Sequence, residues 1–206
     1  MCGAFGTFAH QAYAVCLRRQ LSSNVRPHNL QSLALDLPQS LGATQLRALR
    51  HSDLPRFASY RADPSLAEFQ SWEPMSLAAS QAFLNETVGT THLTPGEWVQ
   101  LAVAEVAEDL LAGDVGLFLS EDLTFAEVGF TLGREAQGKG HATRAVELAV
   151  AQVFRLPTVL EIRAVTDELN YASVAVLRRA KFLQAGLQQA VFKGKPCTEL
   201  LFARRR

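Results

Sequence analysis

Charge of one sign is the first thing this sequence lacks: 20 Lys and Arg stand against 20 Asp and Glu, a formal net charge of zero at pH 7. With no global field to hold a polyanion, no nucleic-acid partner is expected. Cysteine is scarce as well. Cys2, Cys16 and Cys197 are an odd number in a chain of 206 residues, with no pair at metal-ligand spacing, and His10, His28, His51, His92 and His141 are dispersed. Neither a disulfide framework nor a metal is expected, and a reducing cytoplasm is the simplest setting. No long apolar run is present either. The uncharged stretch 1–17 is broken by Thr7, His10 and Gln11, and its positive charges, Arg18 and Arg19, follow it. It matches neither a secretory signal nor the roughly 20 apolar residues of a span, so no membrane partner is expected.

What is present is a folding composition, 48% hydrophobic and 19% charged, at a length that suits one compact domain. Residues 20–42 mix Ser, Asn, Pro and Gln with short apolar pieces, so 1–42 reads as a weakly ordered N-terminal extension and 43–206 as the domain. From Thr44 a short strand is expected to 50, then a helix to about Arg61 capped by Ser52-Asp53, a second helical piece opened by Pro64, and a third helix over 76–85. The period then changes from 3.6 to 2. Strands over 98–106, 114–120 and 125–132, joined by short turns, predict an antiparallel meander. A helix over 140–154, a strand over 158–166, a helix over 170–180 and two strands around the turn Lys193-Gly194-Lys195-Pro196 complete the chain. This order predicts an α/β (mixed α+β) fold, a single sheet with helices on both faces.

The most informative window is GFTLGREAQGKGHATRAVELA, residues 129–149, in which a strand enters a loop holding Gly133, Gly138 and Gly140 and an amphipathic helix follows at once. Glycines allow close backbone approach, and the first N–H groups of the helix are unpaired and sit at the positive end of its dipole, so the window reads as an anion cradle. It has neither the P-loop pattern nor G-x-G-x-x-G with a parallel βαβ start, which disfavours nucleoside triphosphates and NAD. A glycine-rich turn that merely joins strand to helix would produce the same residues.

Gln137-Gly138-Lys139-Gly140-His141-Ala142 fits Q/R-x-x-G-x-G/A, and Asn170, Ser173, Leu177 and Phe182 fit N-x-x-S-x-x-x-L-x-x-x-x-F downstream. Together, in this order and with a strand between them, they resemble the GNAT superfamily of acetyl-CoA-dependent N-acetyltransferases over about residues 44–204. Glu127-Val128-Gly129-Phe130, the Trp72 segment and Leu177 resemble its RimJ/RimL branch. The resemblance implies a GNAT-like acyl-CoA N-acyltransferase fold: a central mixed, mostly antiparallel sheet of about seven strands, splayed to admit the cofactor. It implies acetyl-CoA as acyl-donor co-substrate, and no metal. Backbone groups of Phe130, Thr131 and Leu132 would meet the pantetheine, Gln137, Gly138, Lys139, Gly140, His141 and Ala142 would hold the pyrophosphate, and Asn170 and Ser173 would contact the pantetheine from the other side. Asn170 also suits a helix N-cap.

Acetyl transfer to an amine needs a base to take the ammonium proton. Glu127 is the candidate, from its place on the strand leading into the loop; an ordinary solvent-facing strand residue is the alternative. The tyrosine that many members carry as general acid is replaced by Leu177, so Ser173, ordered water or solvent must substitute. The sequence also departs from the family at Lys181, where glycine is usual, and at Arg144, where an acid is often found. Lys181, with Arg178 or Arg179 as rivals, could meet the 3′-phosphate of CoA, and a solvated helix end explains the same charges.

The expectation is therefore an N-acetyltransferase moving the acetyl group of acetyl-CoA to a primary amine, a protein or peptide N-terminal α-amine, by direct transfer in a ternary complex. A small-amine acetyltransferase (polyamine, amino acid or antibiotic) and a non-catalytic acyl-CoA-binding module are the alternatives, and a monomer or homodimer is expected. An open acceptor groove around Trp72 and the last two strands would suit a peptide, and a closed acidic pocket a polycation.

Overall fold

The computed structural model describes residues 33–206. The strands are β1 (Leu33–Ala34), β2 (Gln39–Leu41), β3 (Thr44–Ala48), β4 (His92–Leu93), β5 (Trp98–Glu105), β6 (Leu111–Leu119), β7 (Phe125–Leu132), β8 (Glu161–Asp167), β9 (Leu183–Phe192) and β10 (Lys195–Arg205). An eight-stranded sheet runs in the order β2-β3-β5-β6-β7-β8-β10-β9, and β1 and β4 form a separate two-stranded pair. The helices are α1 (Leu54–Arg61), α2 (Pro64–Ala67), α3 (Leu77–Thr87), α4 (His141–Val153) and α5 (Tyr171–Arg179). All pairings in the large sheet are antiparallel except β7 with β8.

The order of elements is the expected one, with a correction at the front. Leu41 pairs with Thr44 and Gln39 with Leu46, so the sheet begins before residue 43, and its eight strands agree with the expected sheet of about seven. Two- and three-residue strands are too short to show a period, which is why 33–42 resembles a linker in sequence. The rest of the expected extension, 1–32, lies outside the described residues.

Alternation decides which side of the sheet each residue faces. Val99, Leu101, Val103, Val115, Leu117, Ala126 and Val128 belong to the main core beneath α4 and α5. Ala142, Ala145, Val146, Ala149, Val150 and Val153 line the buried face of α4 and close that core; each buried valine contributes about 1.5–3 kcal/mol. The opposite face carries α1 and α3 over a smaller cluster of Leu49, Phe57, Tyr60, Leu84, Ala102 and Leu111. Helix α5 ends in a Schellman motif: Phe182 N–H bonds Leu177 O at 3.0 Å and Lys181 N–H bonds Arg178 O at 3.0 Å. Lys181 takes a left-handed φ of 63° there, the conformation for which glycine is usual. Among the described residues no helix is long and apolar enough to cross a membrane.

Candidate active site

The parallel pairing of β7 with β8 is short. Phe125, Ala126 and Glu127 pair with Glu161, Ile162 and Arg163, and beyond them the two strands separate, β7 running on to Leu132 and β8 to Asp167. The separation opens a cleft of about 120 Å³ at the middle of the sheet, with Glu127 at its apex. Because Ala126 and Val128 face the core under α4, Glu127 points to the other side. It is partly buried and lines the cleft. Burial pushes its carboxyl above the usual range, and Arg163, its neighbour across the ladder, opposes the shift. Arg163 also packs over the Phe125 ring at 3.9 Å and donates Nε to Glu161 at 2.8 Å.

The cleft is lined from both sides of the sheet. On the α5 side it is lined by Phe130, Asn170, Ser173 and Leu177. Asn170 Oδ1 accepts from Ser173 N–H at 3.1 Å, so Asn170 is the N-cap of α5. Leu177 fills the position of the absent tyrosine with an apolar wall. Thr131 and Leu132 are buried and pair with Asp114 and Gly113 of β6.

From Leu132 the chain enters the glycine loop. Gln137 turns its side chain back, Nε2 donating to Leu132 O at 3.1 Å, and so braces the loop against the strand. Gly138 and Gly140 take φ of 75° and 78°, a region that other residues rarely enter. The backbone thereby turns sharply into α4, and the N–H groups of His141, Ala142 and Thr143 are left at the helix start without intrahelical partners. Arg144 packs behind the loop, with Nη2 on Lys139 O at 2.7 Å and Nε on Thr44 Oγ1 at 2.8 Å. Thr44 Oγ1 also meets His141 Nδ1 at 2.8 Å. Buried His141 titrates below its usual range, chiefly through desolvation and then through Arg144, so its side chain is a neutral tether to β3. The first-turn arginine therefore braces the cradle.

The opposite side of the cleft was not legible in the sequence. Asp167 and Glu199 pair across β8 and β10 and both line it, as does Cys197. Glu199 is buried, with Oε2 accepting from Gln188 Nε2 at 2.7 Å, and Asp167 Oδ1 accepts from Leu169 N–H at 2.8 Å. With Glu127 they place three carboxylates around the cleft, whose lining contains no Lys or Arg. Burial, followed by the charges of Glu199 and Asp167, raises the Cys197 thiol and keeps it protonated. Phe69, Gln70 and Ser71, from the segment after α2, and Phe192 close over this end. Lys181, Arg178 and Arg179 lie at the C-terminal end of α5, outside the cleft lining. A splayed strand pair, a desolvated carboxylate and an acidic mouth thus share one cleft, and the glycine loop of residues 137–142 lies outside its lining.

Residues 44–183 match the family described as "Acetyltransferase (GNAT) domain". Over 151 residues, 73% of this chain and 84% of the relative, the sequence is 23% identical to the Uncharacterized N-acetyltransferase p20 of Bacillus licheniformis. Spermidine N-acetyltransferase from Vibrio cholerae, solved in complex with CoA and spermine, shares the fold with a TM-score of 0.67 at 20% identity, covering 80% of this chain and 96% of that one. RimL, a ribosomal L7/L12 alpha-N-protein acetyltransferase in complex with coenzyme A, shares it with a TM-score of 0.66 at 18% identity, over 80% and 95%.

Proposed function

The chain belongs to the GNAT acetyltransferase family and is an acyltransferase, and from that premise we propose that it acetylates the α-amine of a protein or peptide N-terminus with acetyl-CoA, as a member of the RimJ/RimL branch acting in a reducing cytoplasm as a monomer or homodimer. The observation that carries the proposal is Glu127, desolvated at the apex of the splay between β7 and β8.

The residues present fit the cofactor. Gly138 and Gly140 hold conformations that shape a cradle of backbone N–H groups, and a Cβ on Gly140 would lie 2.9 Å from Arg144 Nη1. In the proposal Gln137, Gly138, Lys139, Gly140, His141 and Ala142 bind the pyrophosphate, and Phe130, Thr131, Leu132, Asn170 and Ser173 bind the pantetheine. Bound acetyl-CoA supplies an acyl group activated as a thioester. Glu127 takes a proton from the acceptor ammonium, directly or through one water, and its raised proton affinity makes it a better base at neutral pH than an ordinary carboxylate. Ser173, whose backbone is fixed by the α5 cap, offers a hydroxyl on the other side of the cleft, where Leu177 has none to give.

A second reading, a linear polyamine as acceptor, is favoured by Asp167 and Glu199, which add acceptors for a second ammonium. Mass spectrometry after incubation with acetyl-CoA separates the two, using peptides with free or blocked α-amines alongside spermidine. Acetylation of free-amine peptides only is expected. Acetylation of spermidine alone would replace the proposal by the polyamine reading, and calorimetric acetyl-CoA binding with no transfer to any amine would leave a non-catalytic binding module.

A further inference from the structure

Two segments far apart in sequence meet over the acidic mouth. Residues 69–71 line it from one side and Phe192, the last residue of β9, from the other. Lys193 lies where they meet. It is the first residue of the two-residue turn that joins β9 to β10, with φ of 50°, and Gly194 follows at 76°. Two positive φ values in a two-residue hairpin suit asparagine or glycine first, because a Cβ is crowded there, and a lysine carries a steric cost that those residues avoid.

The Lys193 side chain makes use of the position. Nζ donates to Ala67 O at 2.9 Å and Trp72 O at 3.0 Å and lies 3.1 Å from Glu73 Oε1. All three ammonium hydrogens thus have acceptors. The carbonyls of Ala67 and Trp72 bracket residues 69–71, so one cation pins both ends of the lining segment to the hairpin tip. Glu73 is 75% exposed and its pairing is weak in water, which leaves the two carbonyls as the grip. The segment has its own anchor on the far side: the Trp72 ring lies 4.6 Å from the Arg61 guanidinium, and Met75 N–H bonds Arg61 O at 2.9 Å. Removing the lysine would therefore loosen the mouth without detaching the segment from the helical layer.

We propose that Lys193 is a specificity-determining residue: by pinning the β9–β10 turn to residues 67–73 it keeps the mouth narrow and confines the acceptor to a primary amine on an acyclic carrier, excluding one held on a sugar ring. The proposal rests on the acetyltransferase reading above. Lys193→Asn tests it, because asparagine suits the turn while lacking the ammonium.

Two readouts are taken on the variant, with circular dichroism to confirm folding. The first is alkylation of Cys197, which lines the cleft, by iodoacetamide and by a bulky maleimide, followed by peptide mass mapping so that Cys2 and Cys16 do not interfere. The second is kcat/KM for an aminosugar relative to an acyclic amine acceptor. The bulky-to-small ratio for Cys197 and the cyclic-to-acyclic ratio for acceptors are each expected to rise by about fivefold or more, with acetyl-CoA affinity within about twofold of wild type. An unchanged acceptor ratio overturns the proposal. If the wild type acetylates nothing, the acetyltransferase reading falls while the alkylation ratio still decides whether Lys193 narrows the mouth: a rise upholds that, and an unchanged ratio in a folded variant removes it.

Discussion

Glu127 is placed where its neutral form is cheap and its ionised form costly, and that one fact ties its chemistry to its cost. Burial raises its folded-state pKa above that of the unfolded chain. The folded protein therefore binds this proton more tightly, and stability is lost as pH rises from the ordinary glutamate value through the raised one. Above that window the penalty is present in full; below the ordinary value it is absent. Glu127→Gln should be more stable than wild type at pH 7 and of equal stability near about pH 3, as read from urea unfolding midpoints. The same variant should lose about 10²–10³-fold in kcat/KM, together with the acidic limb of the pH profile, which in the wild type lies above the usual carboxylate range. An acidic limb that survives the substitution would assign the base elsewhere.

At the scale of elements, α5 joins fold and site through one residue. Asn170 caps the helix with its Oδ1 on Ser173 N–H, which leaves its amide nitrogen for the cleft that it lines. Asn170→Ala should cost about 1 kcal/mol of unfolding free energy, since the cap is lost. Asn170→Asp keeps the capping oxygen and removes the amide donor, so it should retain wild-type stability while weakening acetyl-CoA about fivefold or more by calorimetry. Unchanged affinity in the Asp variant would reduce Asn170 to a cap.

Local pattern made much of this scale legible: alternation marks β5 and β7, the 3.6 period marks α4, and Gly138 and Gly140 announce the cradle. What was not legible depends on register between strands. Nothing local says that β7 and β8 pair for only three residues, so the sequence could suggest Glu127 but not place it at an apex. Asp167 and Glu199 lie 32 positions apart and become neighbours only through the β8–β10 ladder. Lys193 was visible as a turn residue, but its partners at Ala67 and Trp72 are tertiary.

At the scale of the whole molecule, the helical layer that roofs the mouth shares a small apolar cluster with the sheet: among the described residues it contains six buried residues, against 28 in the main core. A buried polar network supplements them. Asp114 on β6 accepts from Arg61 Nη2 at 2.8 Å and from the hydroxyl of Tyr60, both on α1, and from the Gln100 amide on β5. Burial and the Asp114 charge hold Tyr60 protonated well past its ordinary range, so its hydroxyl remains a donor. Arg61 packs against the rings of Phe57, Tyr60, Trp72 and Phe83 and so carries the network out to the roof segment. Asp114→Ala would leave that guanidinium buried without its carboxylate, at a cost of about 3–5 kcal/mol in urea unfolding. Gln100→Ala, which removes one neutral donor, should cost about 1–2 kcal/mol. The ordering carries the point: if the layer were held by apolar packing alone, the two variants would cost about the same, and tryptophan fluorescence of folded Asp114→Ala, reporting on Trp72 over Arg61, would match wild type. A large cost accompanied by a shifted emission would show that one carboxylate under the helices sets both the seating of the layer and the position of the roof over the acceptor.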